Sequence, residues 1–286
     1  MAEQIFEYEK SPQQKAADKI AEIKKKAKND IKQVKADLHK ELYGEKGSAL
    51  DKIFKKKLRN QHKEAKRIEY INRKNRYSTG EEIFHAISHG IGTGLMIAAT
   101  IVMIVHAVRY SSPALKPFFV SGVSVFGAAL ILTYLFSTLY HALTPLGAKK
   151  VLAILDHTSI YILIAGTYTP LCLGSLHNTL GWVYFGIIWA LALGGVISYS
   201  VLGSKMRIAA AITYLLMGWM IIFIIKYIKA ALPTSSLVLL LVGGGVYTLG
   251  LFFYIHKDTK WMHSVWHLLS LAGSVLHFFA IYFSIK

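Results

Sequence analysis

The pentapeptide HSVWH at residues 263–267 opens the last apolar stretch of the chain and sets two histidines four residues apart. On a helix those positions share a face, so both imidazoles can reach one metal ion. The zinc-protease version of this spacing carries a glutamate after the first histidine, and here Ser264 stands in that place. A metal held by His263 and His267 must therefore take its third ligand and its base from elsewhere.

Three more residues of the apolar body have suitable chemistry. His141 ends the segment STLYH, Ser137 precedes it by four residues on the same helical face, and Asp156 opens LDHTSIY. Neutral imidazoles from His141, His263 and His267, completed by a water, make a tetrahedral zinc site with an open fourth position, as in catalytic zinc centres. Asp156 is the one carboxylate inside any predicted span, and a zinc ion or its water would be the partner that keeps it ionised. Ser137 could hydrogen-bond that water or a substrate carbonyl. A single histidine in a membrane bundle is by default a hydrogen-bonded packing residue; several at one depth beside a carboxylate are not. His277 is excluded from the same metal, because 14 residues at 1.5 Å each put it about 21 Å deeper than His263.

A competing pair lies in EEIFHAISHGIG, where His85 and His89 are also four apart, after Glu81 and Glu82. The two glutamates suit a first helical turn, where the helix dipole favours negative charge. Gly90, Gly92 and Gly94 suit close helix packing. This segment is therefore expected to pack around the ligands rather than supply them.

The elements that must position these residues follow from composition. The 286 residues are 53% hydrophobic and contain one cysteine, Cys172, so no intrachain disulfide can form; mean hydropathy is +0.40. Such a chain is too apolar for an ordinary soluble domain of this length. Charge is uneven: residues 1–80 hold 22 of the 33 basic and 12 of the 16 acidic residues, leaving Glu81, Glu82, Asp156 and Asp258 as the acids of the remainder. The N-terminus carries charges where a secretory signal needs an apolar centre. The chain thus divides into a basic arm, residues 1–80, and a membrane body, residues 81–286.

The body contains seven apolar stretches, each long enough to cross a hydrocarbon core of about 30 Å. They run from His85 to Val108, Phe118 to His141, Val151 to Leu173, Leu180 to Leu202, Ile208 to Ile225, Leu237 to Ile255 and Met262 to Ser284. Backbone groups in lipid must be bonded within the segment, so these are helices. The expected fold is all-α: a polytopic membrane protein with a seven-transmembrane helix bundle. Its weakest boundary is SYSVLGSKMR, between the fourth and fifth spans. Arg73, Lys74 and Arg76 before the first span argue for a cytoplasmic N-terminus and an external C-terminus. In that orientation His141, Asp156, His263 and His267 all fall on the cytoplasmic side of the plasma (inner) membrane.

In the arm, Ser11 and Pro12 read as the N-cap and first position of a helix. Apolar Ile20, Ile23, Ala27, Ile31, Val34, Leu38 and Leu42 recur with an 11-residue period, close to that of a straight helix. This reads as a solvated helix with one weak apolar stripe, or as one lying on anionic lipid headgroups, to which each clustered lysine adds about 1 kcal/mol. No aromatic stacking motif accompanies the charge, so no nucleic-acid partner is expected.

Four segments together, EEIFHAISHGIG (81–92), STLYH (137–141), DHTSIYILIAGTYTP (156–170) and HSVWHLLSLAGSVLHF (263–278), resemble the hemolysin III branch of the progestin and adiponectin receptor superfamily, seven-span proteins similar to alkaline ceramidases. The resemblance covers residues 81–286. It implies zinc held by His141, His263 and His267, with Ser137 and Asp156 beside it. One departure is that the first motif usually has asparagine where His85 stands. Three functions compete: a zinc-dependent hydrolase of lipid amides or esters, a membrane-lipid sensor or receptor with structural zinc, and the cytolysin that the branch name implies. A water-filled pore needs a polar lining, which these spans lack.

Overall fold

The computed structural model describes residues 12–41, 54–65 and 77–286. Two compact units divide at Ser78/Thr79. In the first, α1 spans Pro12–Glu41 and α2 spans 54–65; Ser11 and Leu42 lie outside the described residues. Ile20, Ala27, Ile31, Val34 and Leu38 are the half-buried members of α1 among its described side chains, while Ile23 is exposed. Ile23, Ala27 and Ile31 line a cleft shared with Leu58 and Ala65 of α2. The stripe is therefore partly covered by a neighbouring helix.

The second unit is helical throughout its described residues, without a strand. Helix α3 (Thr79–Tyr110) carries Glu81 and Glu82 in its first turn and Arg109 in its last, the charge order a helix dipole favours. It is followed by α4 (Lys116–Ala142) and α5 (Leu146–Pro170). Pro170 lacks the N–H that an α-helix would use, and the chain widens there into a π turn, Leu171–Leu176. Helix α6 (Thr179–Leu202) begins with the Asn178 side chain accepting from Gly181 N–H. The remaining helices are α7 (Arg207–Trp219), α8 (Ile225–Ala231), α9 (Thr234–Ile255) and α10 (Met262–Ser284).

Six helical stretches among the described residues are long and apolar enough to cross a membrane. One of them, Thr179–Ala231, has 53 residues, which as a straight helix would extend about 80 Å. It is instead bent double at Gly203, whose φ is +57°, through a 3-10 turn, Gly203–Met206. Tyr184 Oη donates to Met220 O at 3.4 Å across 36 residues, a separation of about 54 Å along a straight helix. The fourth and fifth predicted spans are thus two legs of one bent helical stretch.

Helix α3 packs against both α4 and α10, α4 against α5, and α10 against α9, while α7 touches α5, α6 and α9. The helices so close around a shared interior. In α3 the buried residues are Glu81, His85, His89, Gly92, Met96, Thr100, Met103 and Ala107, spaced as one helical face. Ile83, Ile87, Ile91, Leu95 and Ile101 are exposed on the outside, where lipid would meet them. Glycines admit the closest approaches: a Cβ at Gly122 of α4 would lie 2.7 Å from Pro170 Cα.

Candidate metal centre

The inward face of α3 begins with polar residues, and the last turn of α4 and the first turns of α10 bring histidines to the same end of the bundle. His85, His141, His263 and His267 are all buried, and one ligand nitrogen from each lies within 4.8 Å of the others. His263 Nε2 and His267 Nε2 are 3.3 Å apart. Two nitrogens bound tetrahedrally to zinc at about 2.0–2.1 Å are separated by about 3.3 Å, so this pair already has the spacing of a tetrahedral edge.

Glu82 orients the third predicted ligand. Its Oε2 accepts from His141 Nδ1 at 2.6 Å and its Oε1 from Lys149 Nζ at 2.9 Å. With Nδ1 so engaged, the nitrogen that His141 offers the cluster is the buried Nε2. A carboxylate on the far nitrogen fixes the tautomer and raises the basicity of a ligating imidazole. Glu81 does a different job: its Oε1 accepts from Trp261 N–H at 2.7 Å. Trp261 stands immediately before α10 with φ at 65°, a left-handed conformation that needs support in a non-glycine residue. Glu81 thereby fixes the entry of the helix that carries His263 and His267.

Ser137 and Asp156 adjoin the cluster without belonging to it. The Ser137 hydroxyl is buried and is a hydrogen-bond partner of the Asp156 carboxyl, which also lies in the field of His141 and Lys257. Asp156 Oδ2 approaches His157 Nδ1 at 3.4 Å, while that nitrogen donates to Ala153 O at 2.8 Å. Lys257 is buried, its Nζ 4.4 Å over the Tyr254 ring. Three of the four acids of residues 79–286 and both of their buried lysines are therefore gathered around four buried imidazoles. Imidazole donors of this kind suit zinc and other first-row transition-metal ions.

The sequence reading kept His85 and His89 together outside the ligands, and the structure separates them. His85 stands inside the cluster, its ring 4.6, 4.8 and 4.6 Å from those of His141, His263 and His267. Its Nε2 is 2.9 Å from Ser264 Oγ, so the residue that replaces the expected glutamate holds a histidine. His89 does lie outside, stacked on His267 at 3.7 Å. His277 bonds Leu240 O at 3.1 Å, away from the site. Glu82 and Lys149, read from sequence as a first-turn residue and a loop charge, are neighbours of the cluster that the reading missed. Glu82 did carry a signal, because 82, 85 and 89 share one helical face.

One helical turn deeper, a partly open apolar cavity of about 120 Å³ lies between α4, α5, α7, α9 and α10. Thr133, Ile160 and Ser270 line its end nearest the histidines, and His277 lines it farther in. Tyr134 and Tyr247 both bond Ser274 Oγ at 2.6 Å beside it.

A closed bundle of apolar helices with buried ionisable residues at one end defines an integral membrane protein. Residues 77–278 match the model of the family described as Haemolysin-III related. The chain belongs to that family. It is 40% identical over 207 residues to Hemolysin-3 homolog of Bacillus subtilis (strain 168), covering 72% of this chain and 95% of that protein. It is 41% identical over 203 residues to Hemolysin-3 of Bacillus cereus, covering 71% and 91%. Monocyte to macrophage differentiation factor of Rattus norvegicus is more distant, 26% identical over 170 residues, with 55% and 68% covered.

Proposed function

We propose that this protein is a zinc-dependent hydrolase of lipid amides or esters, with the metal held by His141, His263 and His267 at the cytoplasmic end of the bundle. The observation that carries the reading is the Ser137–Asp156 pair in the field of His141, with Ser137 one turn from the cavity-lining Thr133 on α4 and Asp156 one turn from the cavity-lining Ile160 on α5. Bound zinc supplies Lewis acidity, which lowers the pKa of a coordinated water toward neutrality and polarises a carbonyl.

The chain's own groups do the rest. Asp156 takes the proton from the attacking water and returns it to the departing amine or alcohol. Ser137 holds the Asp156 carboxyl in place. Glu82 fixes the His141 ring, and Glu81 fixes the start of α10. The cavity accepts an acyl chain, so the scissile bond of a lipid stops at the level of Asp156. Membrane lipids are thus the substrate class, and Arg73, Lys74 and Arg76 support a cytoplasmic N-terminus in the plasma (inner) membrane. The apolar cavity gives no support to a water-filled pore, although two relatives bear haemolysin names.

The test is elemental analysis and a lipid screen on the full chain in detergent. About one zinc per chain and release of fatty acid from an N-acyl amide or acyl ester are expected. Asp156→Asn should keep the zinc and lose the turnover. A wild-type protein that binds zinc and leaves every lipid intact would overturn the hydrolase in favour of a zinc-bearing lipid sensor.

A further inference from the structure

We propose that His85 is a fourth ligand, which closes the coordination shell in the resting protein and must leave before a substrate or water can reach the metal. The inference rests on the metal reading above. Its ground is the placement of the ring. His85 lies within 4.8 Å of each of the other three rings, whereas the His141 ring is 5.5 and 5.1 Å from those of His263 and His267. His85 therefore sits on the open side of the trio, where a fourth tetrahedral donor belongs.

Ser264 engages His85 Nε2 at 2.9 Å, so the nitrogen assigned here to the metal is Nδ1, which is buried. Ser264 lies between the two ligands of α10 in sequence, and any movement of that helix start moves the His85 anchor with it. Four nitrogen ligands from the protein make a closed site of the structural kind, while three leave the position that catalysis needs. His85 thus turns one site into two states: a closed one that holds the bundle end together, and an open one that reacts.

Cobalt(II) reports coordination directly, and azide probes for an open position. Wild-type full chain in detergent, loaded with about one cobalt, should show visible absorption bands that saturating azide does not shift. His85→Ala and His85→Asn should retain the cobalt and show bands that azide does shift. The asparagine variant can keep a hydrogen bond to Ser264 and guards against misfolding of the alanine variant. Zinc X-ray absorption on the wild type alone should count four imidazoles. Azide-sensitive wild-type bands, or three imidazoles, overturn the inference and leave the metal reading standing. A wild-type protein that takes up neither metal overturns both.

Discussion

Glu82 and His141 share a 2.6 Å hydrogen bond across 59 residues of sequence. That contact joins the first turn of α3 to the last turn of α4, and Lys149 of α5 completes it on the other carboxylate oxygen. Three helices are so locked together at the site by one side chain. Removing it both loosens a ligand and leaves a buried lysine without its carboxylate.

Glu82→Ala should therefore lower zinc affinity about 10–100-fold, the usual effect of losing a carboxylate behind a ligating histidine. Competition with a chromogenic chelator measures it. Combining Glu82→Ala with Lys149→Met should recover part of the lost thermal stability, because the orphaned cation goes too. An unchanged affinity in Glu82→Ala would show that the carboxylate serves packing alone.

Chelation should lower the melting temperature of the wild type. A ligand bound only by the folded state stabilises by about 2.7 kcal/mol at 100 times its Kd. In His263→Ala the melting temperature should be lower from the start and its response to chelator smaller. Differential scanning fluorimetry in detergent reads both, and a chelator response undiminished in His263→Ala would remove this residue from the ligand set.

Loss of a general base typically costs 10²–10⁴ in rate. Asp156→Asn should fall in that range at unchanged zinc content, and Ser137→Ala should lose less, because it acts through Asp156. Fatty-acid release under single-turnover conditions gives the comparison; equal losses in the two variants would place Ser137 on the reacting atoms instead.

Gly122→Ala should destabilise the bundle by about 1–3 kcal/mol, the usual cost of overpacking, since its Cβ would meet Pro170 Cα at 2.7 Å. Gly94→Ala, with nothing within 4 Å of the added carbon, is the control and should leave the melting temperature unchanged.

We expect the reversal at Gly203 to give an odd number of crossings, with residues 78 and 286 on opposite membrane faces. A membrane-impermeant maleimide applied to intact cells should label Lys286→Cys and spare Ser78→Cys. The native Cys172 is buried and should contribute little background. Labelling of both, or of neither, would mean an even number of crossings.

Helix content, the membrane class and the histidines at one end of the bundle were all legible in the sequence. Long apolar runs admit only helices in lipid, and charged or imidazole groups are too costly there to occur without partners. The boundary between the fourth and fifth legs was the weak point of that reading, and it is where the helical chain runs on through a 3-10 turn with Gly203 as its pivot.

What the sequence left undecided is which polar residues of α3 face which partners. Both faces of α3 are apolar over most of their length, one toward lipid and one toward the bundle, so the contrast that orients a helix in a soluble protein is missing. His85 and His89 are the same residue type on the same face of α3, one turn apart, and only the packing of α3 between α4 and α10 gives them different partners. That packing puts His85 among three histidines and stacks His89 on the back of His267. It likewise turns Glu82 toward His141 and Glu81 toward Trp261. The residue types came from the chain, whereas their roles were set by long-range contacts that no local pattern encodes.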